Sequence, residues 1–205
     1  MTRQQLEHII RAAGSITDEK AILILGSQSI LGSVDDAPGK LLLSMEADVF
    51  PLTAPDKMEL INGSIGEISR FHQTFGYYAH GILPESCPLP LGWDKRLNPI
   101  KNENTNGITG LCLGAADLAC SKLAAGRPKD LDFVTEMLAK KIVVQQHVAG
   151  LIPDLPRLEH RTAALRSLQI VEHRIRFIEL SESKDLDAPN ETRGLEKDRD
   201  DDLSL

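Results

Sequence analysis

The apolar positions of this chain change period several times, and each change marks an element. Thr2 with Gln5 three residues later has the capping-box form, and Leu6, Ile9, Ile10 and Ala13 follow at helical spacing before Gly14, which predicts a short amphipathic helix. The run Ala21-Ile22-Leu23-Ile24-Leu25 is short, rich in strand formers and ended by Gly26-Ser27, so it reads as a buried strand entering a turn. A helix over Gln28 to Val34 and a turn-rich loop Asp35-Asp36-Ala37-Pro38-Gly39 are expected next. In Met45-Glu46-Ala47-Asp48-Val49-Phe50 the pattern alternates, which sends Ala47 and Val49 to one face of a strand and Glu46 and Asp48 to the other.

Pro55 stands near the start of a helix through Met58, Leu60 and Ile61, closed near Gly63. Residues Asn62 to Gly110 are rich in Gly, Pro and Asn; within them Tyr77 to Ile82 and Leu97 to Ile100 are weakly alternating candidates for a third and a fourth strand. From Gly114 the helical period returns. Ala116, Leu118, Ala119, Leu123 and Ala124 precede Gly126, and Leu131, Val134, Met137 and Leu138 follow Pro128, so two helices meet at Gly126-Arg127-Pro128. Leu158, Leu165, Leu168, Val171, Ile175 and Ile178 fit one long helix, roughly Arg157 to Leu180, that covers the core or a partner.

The expected organisation is an α+β core over residues 1–113, a helical part packed on it over 114–180, and an acidic, disordered tail over 181–205. The chain's formal charge is −7, and the acids from Glu182 to Asp202 outnumber Lys184, Arg193, Lys197 and Arg199. The body is therefore near neutral, which argues against tight duplex binding through a broad basic face but allows a local basic pocket. Cys87, Cys112 and Cys120 form no Cys-x-x-Cys pair, so neither a disulfide framework nor a zinc site is indicated. With no charged lead into an apolar stretch and no uncharged run of membrane-spanning length, a cytoplasmic protein without a membrane segment is the expectation.

Two stretches carry candidate chemistry. Adjacent carboxylates on one strand face repel unless a cation lies between them, and Mg²⁺ held by one or two carboxylates and substrate phosphates meets that need. A Gly-Ser turn beside them lets backbone N–H groups and a hydroxyl approach phosphate. The competing reading of Glu46 and Asp48 is an edge strand with one solvated face. The second stretch is Lys-Leu-Ala-Ala-Gly-Arg-Pro-Lys-Asp-Leu-Asp, residues 122–132, which reads equally well as a plain helix start with Asp130 and Asp132 favouring the N-terminal dipole.

Gly-Ser at the end of an apolar strand followed by acid-x-acid on a later strand resembles the signature of the polymerase-beta-type nucleotidyltransferases. Over roughly residues 1–140 the chain is similar to small prokaryotic nucleotidyltransferase-like proteins of abortive-infection and toxin-antitoxin systems. The resemblance implies a nucleotidyltransferase-like fold, a small mixed sheet flanked by helices, and a Mg²⁺-dependent reaction, with Mn²⁺ as a substitute. It implies Glu46 and Asp48 as metal ligands and catalytic carboxylates, and Gly26, Ser27, Lys122 and Lys129 as nucleotide-binding residues. Asp130 would sit near the active centre as a further catalytic acid. The substrate would be a nucleoside triphosphate, and the acceptor RNA such as a transfer-RNA end, a protein or a small hydroxyl compound; a protein partner would use the C-terminal helix.

The chain departs from that pattern. The third strand carries no acid, and His80 stands where one is expected, with an imidazole able to act as a base near neutral pH. A catalytically degenerate nucleotidyltransferase fold that binds nucleotide or protein is the alternative. The aromatics Phe71, Phe75, Tyr77 and Tyr78 read either as core or as a surface on which a base stacks.

Overall fold

The computed structural model describes residues 1–186, and the expectations for the chain beyond Leu186 lie outside the described residues. Helix α1, Arg3–Thr17, starts on the capping box: the Thr2 hydroxyl accepts from the Gln5 backbone, and the Gln5 side chain accepts from the Thr2 backbone. Leu6, Ile9, Ile10 and Ala13 face inward, and Asp18, at φ 55°, ends the helix in the left-handed region.

A five-stranded sheet follows in the order β3-β2-β1-β5-β4. Its central strand is β1, Ala21–Leu25, whose last four side chains are fully buried. That double burial explains the unbroken apolar run, because a strand covered on both faces has no polar side. Strand β2, Glu46–Pro51, lies antiparallel to β1 with Leu25 opposite Asp48, and β3, Tyr78–Gly81, lies parallel to β2. On the other flank β5, Thr109–Cys112, is parallel to β1, and β4, Asn98–Ile100, closes the sheet antiparallel to β5.

Between β2 and β3 stand α2, Met58–Ile65, and α3, Arg70–Phe75. The first packs on α1 and β3, covering one face of the sheet. Helices α4, Ala115–Ala125, and α5, Pro128–Ala139, follow β5 and turn at Gly126, whose left-handed backbone (φ 65°) ends α4. After α6, Gln145–Leu151, helix α7, Leu158–Leu186, packs along α4 and α5. Among the described residues no helix is long and apolar enough to cross a membrane.

The α+β class, the mixed sheet and its flanking helices match expectation, and several details differ. The segment after Gly26 is a 3-10 helix, Ser27–Gly32, because Gln28 to Leu31 are all buried and leave no solvated face for an amphipathic α-helix. Strand β5 was not anticipated. Its Gly110 lies where a Cβ would meet the Ile10 side chain at 2.3 Å, so a residue that weakens the strand pattern is there to let α1 approach. The short helices α3 and α6 escaped the periodicity for lack of length, and α7 continues past Leu180 to Leu186. Strand β2 is internal rather than an edge, which removes the edge-strand reading of Glu46 and Asp48.

Candidate active site

The end of β1 and the start of β2 build the acidic side. Gly26 turns the chain out of β1 at φ 58°, and a Cβ there would come within 2.0 Å of the Asp48 Oδ2. Only glycine lets this turn lie directly on the carboxylate. The parallel register of β2 and β3 sets Tyr78 beside Glu46 and His80 beside Asp48. The His80 Nδ1 stands 3.5 Å from both Glu46 Oε1 and Asp48 Oδ1, and the Tyr78 hydroxyl donates to Glu46 Oε2 at 2.8 Å.

Charge is left uncompensated here. Burial, and after it the like charge of Glu46, push the Asp48 carboxyl up to about 6 against the pull of His80. The Tyr78 hydroxyl is pushed up to about 12, chiefly because it donates to Glu46. One ligand atom each from Glu46, Asp48 and His80 lies within 4.8 Å of the others, so the donor set fits a single divalent cation.

The basic side comes from α4 and α5. Lys122, buried at 8 % exposure, donates to Ser27 Oγ at 3.1 Å and to Asp130 Oδ1 at 3.0 Å, and its ammonium lies 4.3 Å from the Phe133 ring centre. Burial lowers its pKa although Asp130 pulls the other way. Asp130 is fully buried and also accepts from Arg127 Nε at 2.5 Å. Burial acts to raise its pKa, but the Arg127 bond and the Lys122 charge outweigh it and hold the carboxyl below its ordinary value. Lys129 is exposed, in the first turn of α5.

Both sides line one cleft of about 1440 Å³, with Gly26, Ser27, Glu46, Asp48, Lys122, Lys129 and Asp130 all on its walls. His80 and Arg127 belong to the same walls. Arg127 was passed over because it reads as part of a helix start, and Tyr78 because its bond to Glu46 depends on strand register. The signal for His80 was its odd position on the strand beside the acids. The aromatic cluster divides: Phe71, Phe75 and Tyr77 pack on His8 of α1 with ring centres 4.7–6.0 Å from it, while Tyr78 stacks on His72 at 4.6 Å on the acidic side.

With this geometry in place, a family model described as "Nucleotidyltransferase of unknown function (DUF6036)" matches residues 4–174. The chain belongs to this nucleotidyltransferase family. No curated protein and no solved structure matches it. The family match spans both the acidic strand and the two helices that carry Lys122 and Asp130.

Proposed function

We propose that the chain transfers a nucleotide from a nucleoside triphosphate to a hydroxyl group on RNA, a protein or a small molecule, with a divalent cation, Mg²⁺ or Mn²⁺, held by Glu46 and Asp48. When bound, that ion supplies charge neutralisation at the reacting phosphate, as metal sites in phosphoryl transfer do. The Gly26-Ser27 turn offers its backbone and hydroxyl to the phosphates. Ser27 accepts its hydrogen bond from Lys122, so its own proton is available to a phosphate oxygen.

Lys122, Lys129 and Arg127 stabilise the charge that moves onto the leaving pyrophosphate as the acceptor oxygen bonds to the α-phosphorus and the bond to the β-phosphate oxygen breaks. The acceptor's proton is released. Asp130 enters as a positioning residue, since its buried carboxylate is committed to Lys122 and Arg127. What carries the reading is an unbroken chain of contacts: Lys122 bonds Ser27, Ser27 follows Gly26, and Gly26 lies on Asp48.

The test is incubation of the protein with each labelled nucleoside triphosphate, Mg²⁺ or Mn²⁺, and cell RNA or protein. Label transfer that Asp48→Asn abolishes is the expected outcome. Nucleotide binding without transfer to any acceptor would favour a second reading, a binding module on a degenerate catalytic fold, which the imidazole of His80 in place of a third acid favours. A toxin or defence role, suggested by the sequence resemblance, predicts growth arrest when the wild-type chain is induced in bacterial cells and no arrest with Asp48→Asn.

A further inference from the structure

Three features of the acidic side converge on His80. Neighbouring strands stand about 4.8 Å apart with paired side chains on the same face, so β2 and β3 turn Glu46, Asp48 and His80 toward one point. The imidazole straddles the two acids, with Nδ1 at 3.5 Å from an oxygen of each. Good N–H···O bonds run about 2.7–3.2 Å, and 3.5 Å is longer than that, while adjacent ligands of an octahedral ion bound at about 2.0–2.1 Å stand about 2.8–3.0 Å apart. The three donors lie within 4.8 Å of one another, close enough for a bound ion to draw them together.

One of the remaining carboxylate oxygens is already engaged. Glu46 Oε2 accepts from the Tyr78 hydroxyl, and Asp48 Oδ2 lies under the Gly26 turn. Oε1 and Oδ1 are the two that face the imidazole. An outer hydrogen bond that fixes a carboxylate in this way is how metal sites orient their ligands.

We infer that His80 is the third protein ligand, through Nδ1, of the divalent ion held by Glu46 and Asp48, and that it turns the site toward Mn²⁺ and away from Mg²⁺. Mg²⁺ is a hard ion that takes oxygen ligands in tight octahedra, while imidazole suits first-row transition ions; Mn²⁺ also accepts carboxylate and phosphate oxygens. This inference rests on the metal-dependent reading of the cleft given above.

The experiment uses chelator-treated full-length protein titrated with Mn²⁺, free Mn²⁺ being read by electron paramagnetic resonance and nitrogen coupling to the bound ion by pulsed methods. Mg²⁺ is then added as competitor. The wild type is expected to show a coordinated nitrogen and to bind Mn²⁺ at least about tenfold more tightly than Mg²⁺. His80→Gln loses the nitrogen signal and at least about tenfold in Mn²⁺ affinity, since even outer-shell partners of a ligand are worth that much. His80→Asp loses the nitrogen signal and narrows the gap between the two ions.

His80 is exposed on an edge strand, so neither substitution removes core packing, and the wild-type nitrogen signal needs no variant at all. Absence of that signal, or its persistence in His80→Gln with Mn²⁺ affinity unchanged, overturns the assignment. If Asp48→Asn abolishes Mn²⁺ binding while His80→Gln does not, the role of His80 falls and the metal site stands. If the wild type binds neither ion, with or without a non-hydrolysable nucleoside triphosphate, both fall.

Discussion

Glu7, buried on α1, and Asp48, half-buried on the wall of the cleft, are two carboxylates treated in opposite ways. Glu7, at 4 % exposure on α1, accepts from Arg3 Nε and Asn102 through Oε1 and from Asn104 through Oε2, at 2.7–3.1 Å. Burial acts to raise its pKa, yet Asn104, Asn102 and Arg3 together hold it below the ordinary value of 4.5. Asp48 faces Glu46, the Gly26 turn and an imidazole, and it is driven up to about 6. A carboxylate supplied with donors ties elements together. One crowded against a like charge stores an electrostatic cost that a bound cation relieves, and such perturbed groups in clefts mark functional sites.

The hardest test of this contrast is Asp48→Asn, which is expected to lower nucleotide transfer on the order of 10³-fold or more, through loss of the charge proposed to hold the cation. Transfer within tenfold of wild type would break the contrast at its functional end. At the structural end stands Asp117, 1 % exposed and paired with Arg96 Nε and Nη2 at 2.6–3.1 Å. Arg96→Ala leaves that charge buried and unpaired, a loss of about 3–5 kcal/mol measured by denaturant unfolding.

Glu7→Gln and Asp48→Asn should move the stability of metal-free protein in opposite directions. The Glu7 pKa is lower in the fold, so its contribution is present above the ordinary value near 4.5 and fades as pH falls through the folded one. Glu7→Gln therefore costs about 2 kcal/mol at pH 7, shrinking in acid. The Asp48 pKa is raised, so its favourable contribution is full below the ordinary 3.8 and lost as pH rises through about 6. Asp48→Asn then stabilises the metal-free protein by about 1–2 kcal/mol at pH 7, fading toward pH 4. Thermal melts from pH 4 to 7.5 in chelator read both, and shifts of the same sign would undo the distinction.

The last effect falls on the turn between the two sides. Gly26→Ala costs about 1–3 kcal/mol for a backbone at φ 58°, ψ −160° that is almost confined to glycine, and the new Cβ, 2.0 Å from Asp48 Oδ2, pushes the carboxylate aside. Calorimetric titration with Mn²⁺ should show weakened binding beside a drop of several degrees in melting temperature.

The legible elements were those whose pattern is local. The capping box of α1, the doubly buried β1, the alternation of β2 and the turn between α4 and α5 each follow from side-chain chemistry within a few residues, and each is present. Strand β5 was not legible because Gly110 weakens its pattern for the sake of α1. The 3-10 helix after Gly26 was read as an ordinary helix because its burial depends on elements distant in the chain. In the cleft, Gly26, Ser27, Glu46, Asp48, Lys122, Lys129 and Asp130 were singled out from short motifs, whereas the engagement of Tyr78 and Arg127 was not.

The sequence alone determined the apolar faces and positions of α1, β1 and β2, and that Glu46 and Asp48 share a strand face, since strand periodicity is set by covalent geometry. Only the tertiary structure decided that β3 lies parallel to β2 with His80 beside Asp48, and that Lys122 of α4 reaches Ser27 after β1. Strand order and register arise from packing between distant segments, which no local pattern encodes. An acidic pair on a strand thereby becomes one wall of a cleft whose other wall is cationic.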